Sequence, residues 1–116
     1  MYRVYAERAL RMIRSHLQNE RSLSMLCRAF DIKVKRVEGS ALSNGYVTLL
    51  HGKAYILIKS GLSVTDGRVT LAHELAHLLL GHVGDWKNIK GRTLPANRQE
   101  READHLAALI LSEIYD

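Results

Sequence analysis

The chain has 116 residues, 47% of them hydrophobic, and a formal net charge of +5. This size and composition predict one compact domain over residues 1–116 and exclude a disordered chain, while a single cysteine, Cys27, excludes an internal disulfide. No apolar run approaches the roughly 20 residues that span a bilayer, so no membrane association is expected.

The N-terminal third begins with two predicted helices. From Tyr2 to about Gln18, hydrophobic residues recur at helical spacing with arginines between them, which predicts an amphipathic first helix. The arginines also interrupt the apolar core that a secretory signal needs, and a lone thiol is typical of a reducing compartment, so a cytoplasmic protein is expected. Ser22 is a suitable N-cap for a short second helix that runs through Ala29.

Basic residues are concentrated in the first 36 positions. Such a cluster can bind nucleic acid, but no nucleic-acid motif and few aromatic residues accompany it, so a solvated basic face is favoured and direct nucleic-acid binding is not expected. The residues concerned are Arg3, Arg8, Arg11, Arg14, Arg28, Lys33, Lys35 and Arg36.

The pattern changes at Ile32 to that of a small sheet. IKVKRV alternates in part, and GYVTLL and KAYILI flank His51 and Gly52, so about three strands are expected, the last two forming a hairpin. The triplet that begins at Ser43, Ser-Asn-Gly, predicts a turn. If the segment 54–58 forms an edge strand, it could align an extended peptide by strand addition.

Two more helices follow the strands. The first is expected to begin near Gly67, with Asp66 or Thr65 as its cap, and to stop at Gly81. After a loop, Asn97 opens the last helix. The order ααβββαα predicts an α+β domain.

The first of these two helices carries the stretch VTLAHELAHLLLGH, residues 69–82. On a helix, His73 and His77 project from one face and can close on one metal ion, whereas Glu74 lies about 100° further round, where it can reach a water molecule on that ion. This is the H-E-x-x-H pattern of zinc peptidases. Because the neighbouring residues are apolar, a shared metal explains the three polar side chains better than separate buried partners would.

A catalytic zinc site takes a third protein ligand, and the last helix offers three carboxylates. Glu100 and Asp104 share one helical face, which favours Glu100 as the ligand and Asp104 as acceptor for the ring N–H of a ligating histidine. Glu102 points about 200° away from Glu100 and is expected to matter little for the metal. The alternative places Glu100 in a capping box with Asn97 and leaves Glu102 as the ligand.

The loop between these helices supplies further candidates. Leu80 and Val83 stand where metzincins have glycine and histidine, which excludes that class. His82 follows Gly81 and is expected to cap the helix and to point away from the ligand face. No residue stands out as the oxyanion stabiliser, for which His82, Trp86 and Arg92 are only loop candidates.

The stretch TLAHELAHLLLGH, followed by ExEADxxAAxIL, resembles the ImmA/IrrE family of metallopeptidases, and the three strand segments fall where such proteins place strands. The resemblance implies a minimal zincin-like fold that binds Zn²⁺. It assigns His73, His77 and Glu100 as zinc ligands and Glu74 as the catalytic base. Asp104 stands where the family more often has asparagine.

The resemblance also implies a function: zinc-dependent cleavage of a helix-turn-helix repressor of a phage, mobile element or stress regulon in bacteria. The chain departs from the family at Leu106, where phenylalanine is usual, and near Ser112, where a proline is missing. These departures concern the substrate cleft more than the metal. The alternative function is that of a zinc-stabilised antirepressor that binds its partner without cutting it.

Overall fold

A computed structural model describes residues 2–16, 22–38 and 43–115. These ranges contain four helices and a three-stranded sheet. The elements are α1 (Tyr2–His16), α2 (Leu23–Ala29), β1 (Ile32–Val37), β2 (Gly45–Leu50), β3 (Lys53–Lys59), α3 (Val64–Leu79) and α4 (Ala96–Tyr115). The predicted α+β class and the order ααβββαα are confirmed. No helix of the described ranges is long and apolar enough to cross a membrane.

The sheet has the order β1-β3-β2, with β3 parallel to β1 and antiparallel to β2. The hairpin is confirmed, and its turn residues His51 and Gly52 have φ values of 52° and 78°, as a tight two-residue turn requires. Residues 54–58 do not form an edge strand, so the condition for strand addition there is not met. β3 pairs with a neighbour on each side and lies at the centre, whereas β2 lies at an edge. Along β3, Ala54, Ile56 and Ile58 alternate and are all buried.

One hydrophobic core joins all four helices to β1 and β3. Its centre is α3, which packs against α2, α4, β2 and β3 and buries Leu75 and Ala76 completely. Cys27 lies in the same core, and burial raises the pKa of its thiol to about 12. From α1, the core receives the apolar face predicted from helical spacing: Ala6, Ala9, Leu10 and Ile13.

The helix starts are only partly as predicted. Ser22 caps α2, since its Oγ accepts a hydrogen bond from the Met25 N–H at 3.2 Å. For α3 the predicted start is wrong, because Ser63 Oγ accepts the Asp66 N–H at 3.0 Å and the helix begins at Val64. Asp66 therefore lies in the first turn, where a carboxylate interacts favourably with the helix dipole.

The chain turns sharply after α3 at Gly81, as predicted. Gly81 has a φ of +75°, and a Cβ at this position would lie 2.3 Å from the carbonyl oxygen of Lys90. Both features favour glycine. The next residue, His82, donates its N–H to the carbonyl of His77 at 2.9 Å, so the chain folds back towards the helix that it has just left.

Gly45 allows β2 to lie close to α3. It is the first residue of β2 rather than only part of the predicted turn, and it pairs with Ile58. A Cβ on Gly45 would lie 2.4 Å from Thr70 Cγ2 and 3.1 Å from Glu74 Cγ. The first strand residue must therefore lack a side chain for the strand to lie beside this part of the helix.

This contact predicts a measurable coupling between Gly45 and Thr70. Gly45→Ala should lower the free energy of unfolding by about 1–3 kcal/mol, because the new methyl group overlaps the threonine methyl. Thr70→Ser removes that methyl and should recover part of the loss in the double variant. Urea unfolding of the wild type, the two single variants and the double variant measures the coupling. If Gly45→Ala lowers the free energy of unfolding equally with and without the Thr70→Ser change, the contact with Thr70 is not what requires glycine at position 45.

Candidate metal centre

Three side chains from α3 and α4 converge on one point. His73 Nε2 and His77 Nε2 are 3.1 Å apart, and Glu100 Oε2 lies 3.3 Å from the first and 2.8 Å from the second. A tetrahedral zinc ion with bonds of about 2.0–2.1 Å separates its ligand atoms by about 3.3 Å. Two imidazole nitrogens and one carboxylate oxygen at this spacing therefore fit a zinc ion, and we call them the ligand triangle.

The position of Glu100 follows from where α4 begins. The helix starts at Ala96, so Asn97 lies inside the first turn rather than at the N-cap, and the capping box that would have occupied Glu100 is not formed. Its carboxylate instead faces the two histidines across the interface between α3 and α4. Glu102 points to the other side of α4 and does not join the triangle.

Asp104 supports His73 from the outer side of the site. Its Oδ1 lies 2.9 Å from His73 Nδ1, where the sequence had placed an acceptor for a ring N–H. The aspartate side chain is 73% exposed, so it forms the rim of the site rather than part of the core. When His73 Nδ1–H donates to this carboxylate, Nε2 has a free lone pair directed at the triangle.

Glu74 lies next to the ligand triangle but is not part of it. The residue is only 9% exposed, and burial raises the pKa of its carboxyl. The charge of His73 lowers this pKa, and the charge of Glu100 raises it further. Together with the triangle it lines a cavity of about 600 Å³ between β2, α3 and α4. The other lining residues are Ser43, Asn44, Gly45, Tyr46, Val47, Val69, Thr70, His82, Val83, Ala96 and Gln99.

His82 lies where the sequence did not predict it. Its side chain is 1% exposed, and its Nδ1 lies 2.9 Å from His77 Nδ1, so the expectation that it points away from the site is wrong. The turn at Gly81 returns the chain beneath His77 and brings the two rings together. Burial lowers the pKa of both His77 and His82, against the opposing effect of Glu100 and Glu102 respectively.

Glu102 and Arg92 complete the far side of this cluster. Glu102 Oε1 lies 2.8 Å from His82 Nε2, and Arg92 donates to both carboxylate oxygens at 3.0 and 2.9 Å. Burial alone would raise the pKa of Glu102, but the hydrogen bonds from Arg92 and His82 lower it below its usual range. Of the three loop candidates for the oxyanion stabiliser, Trp86 packs in the core against Phe30 and Arg92 binds Glu102, whereas His82 lines the cavity.

The comparison with protein families agrees with this geometry. The Peptidase_M78 model, described as the IrrE N-terminal-like domain, matches residues 27–113. The chain belongs to this family. The match begins within α2 and includes the sheet, α3 and every predicted site residue, whereas α1 lies outside it. It confirms the ImmA/IrrE resemblance and gives the chain a peptidase-type domain.

Neither a curated protein nor a solved structure matched the chain.

The contact between Asp104 and His73 predicts a graded effect on metal binding. Asp104→Ala should weaken zinc affinity by about 10- to 100-fold, the usual cost of losing the acceptor behind a histidine ligand. Asp104→Asn keeps an acceptor oxygen and should lose less, whereas Glu100→Ala removes a ligand and should lose most. Competition with a chelator ranks the variants.

The matched control is Glu113→Ala, on the same helix as Asp104 but paired with Arg14 away from the site. Its affinity should equal that of the wild type. If Asp104→Ala binds zinc as tightly as this control, Asp104 does not orient His73.

Proposed function

We propose that the chain is a zinc metalloendopeptidase that cleaves a helix-turn-helix repressor of a phage, mobile element or stress regulon. The observation that carries this proposal is the ligand triangle of His73, His77 and Glu100 with the Glu74 carboxylate beside it in one cavity. Membership of a peptidase family supports the reaction. The resemblance to ImmA/IrrE proteins supports the class of substrate.

The residues of the triangle would hold the metal through defined atoms: Nε2 of His73, Nε2 of His77 and Oε2 of Glu100. When bound, zinc lowers the pKa of a water molecule and polarises the carbonyl group of the scissile peptide. The triangle supplies three protein ligands, the number typical of catalytic rather than structural zinc sites.

Glu74 is the proton carrier in this proposal. It lies in the cavity wall and is not needed to hold the metal, so its carboxylate is available to accept a proton from the attacking water. The same oxygen can then pass the proton to the leaving amine. A metal site that served only to stabilise the fold would not need a carboxylate at this place.

The cavity wall formed by β2 can align an extended substrate. Because β2 lies at an edge of the sheet, its outer backbone groups can pair with a peptide, and Gly45, Tyr46 and Val47 line the cavity beside the triangle. This role replaces the one that the sequence suggested for residues 54–58, which lie in the central strand. The cleaved bond should therefore lie in an extended stretch of the repressor, such as a linker.

Glu74→Gln separates cleavage from binding. The change preserves the shape of the side chain and leaves the triangle intact, but it removes the base. Cleavage of a candidate helix-turn-helix repressor should therefore fall by about 10²- to 10⁴-fold, with zinc affinity unchanged. Purified wild type, Glu74→Gln and the control Glu113→Gln are incubated with that repressor, and its length is followed on gels.

A transcriptional reporter run in parallel identifies the alternative. Relief of repression by wild type and Glu113→Gln, but not by Glu74→Gln, together with a shortened repressor, supports the peptidase. A full-length repressor whose repression is relieved equally by Glu74→Gln and wild type would contradict it and favour the zinc-stabilised antirepressor.

A further inference from the structure

A continuous line of polar contacts leads away from the ligand triangle into the protein. It runs from His77 Nδ1 to His82 Nδ1 at 2.9 Å and from His82 Nε2 to Glu102 Oε1 at 2.8 Å. Arg92 then binds both oxygens of Glu102. The side chains of His82 and Glu102 are almost fully buried. We call the four residues of this line, His77, His82, Glu102 and Arg92, the buried relay.

The salt bridge between Arg92 and Glu102 determines which atom donates in each hydrogen bond of the buried relay. Arg92 can only donate, and it holds Glu102 as a carboxylate that can only accept. A neutral His82 must therefore carry its hydrogen on Nε2, which leaves Nδ1 as an acceptor. His77 must then donate from Nδ1, and its Nε2 has a free lone pair directed at the triangle.

We propose that His82 and Glu102 are positioning residues that hold His77 in the tautomer and orientation needed to bind the metal; this inference rests on the proposed zinc site. His73 receives the same support from Asp104 directly, at the exposed rim. His77 receives this support through the imidazole of His82, because the carboxylate concerned, Glu102, lies on the side of α4 away from Glu100. The low exposure of His82 and Glu102 limits the competition of water for the hydrogen bond between them.

The buried relay also reaches α1. Arg92 is held in place by a hydrogen bond from its Nη1 to the carbonyl of Leu80 at 2.9 Å, and its guanidinium lies 3.8 Å from the ring centroid of Tyr5. Such a cation–π contact restrains the guanidinium further. The N-terminal helix α1, which lies outside the matched family range, thereby contacts Arg92, the residue that holds Glu102 as a carboxylate.

Glu102→Gln tests the direction of the buried relay with little change in shape. Arg92 can only donate and holds the oxygen of the new amide, so the amide N–H faces His82 Nε2. This selects the opposite tautomer of His82 and leaves two N–H groups facing each other at the contact with His77. Zinc affinity, measured by competition with a chelator, should fall by about 10- to 100-fold. His82→Phe, which keeps a ring but removes both nitrogens, should show a loss of similar size.

A spectroscopic measurement separates positioning from a merely structural role. Long-range ¹H–¹⁵N correlation spectra of protein labelled with ¹⁵N-histidine distinguish the two tautomers of each ring. Wild type should show His77 with hydrogen on Nδ1 and His82 with hydrogen on Nε2, and Glu102→Gln should change the His82 signal. The wild-type spectrum tests the inference even if a variant fails to fold.

The control is Glu113→Gln, the same change in a carboxylate of α4 that pairs with an arginine away from the triangle. It should leave zinc affinity and both tautomers unchanged. Folded Glu102→Gln that binds zinc as tightly as wild type, or wild-type His82 with hydrogen on Nδ1, would overturn the inference. Wild type that binds no zinc would instead overturn the proposed function, a result that the chelator assay distinguishes from either.

Discussion

Histidines from α3 and the turn after it pair with carboxylates from α4, and these contacts allow polar side chains to lie on the helix at the centre of the core. The helix α3 is the centre of the hydrophobic core, and polar side chains on such a helix destabilise the fold unless each finds a partner. Three carboxylates at alternate positions of α4 supply these partners. Glu100 faces both Nε2 atoms, Asp104 contacts His73, and Glu102 contacts His82.

The same pairing gives the site its chemical character. His73 and His77 each have a carboxylate behind Nδ1: Asp104 contacts His73 directly, and Glu102 reaches His77 through His82. Both Nε2 atoms are therefore directed to one point. Histidines held in this way need little rearrangement to bind a metal, which favours both affinity and catalysis. The close approach of β2, made possible by Gly45, then places an edge strand and the Glu74 carboxylate around that point.

Local features of the sequence predicted much of this arrangement. The helices, the hairpin at His51 and Gly52, and the spacing of His73, Glu74 and His77 all follow from periodicity and turn chemistry, which act over a few residues. Strand order is a tertiary property, so the sequence did not decide whether the segment 54–58 lies at an edge or at the centre of the sheet. Its central position follows from pairing with residues 32–37 on one side and 45–50 on the other, which periodicity does not show.

The role of His82 could not be predicted from spacing for the same reason. Its partner Glu102 is 20 residues further along the chain, and the two meet only because the turn at Gly81 folds the loop beneath α3. A helical wheel correctly places Glu102 on the side of α4 away from Glu100. It does not show that His82 and Arg92 lie on that side. A carboxylate that the fold buries needs a charged or hydrogen-bonding partner, and for Glu102 these partners are His82 and Arg92.

Anomalous diffraction at the zinc absorption edge, from crystals of the zinc-loaded protein, shows whether the ligand triangle binds a metal. We expect an anomalous peak within about 2.0–2.2 Å of His73 Nε2, His77 Nε2 and Glu100 Oε2. A zinc peak centred between His82 and Glu102, or no peak near the triangle in crystals grown with saturating zinc, would contradict it.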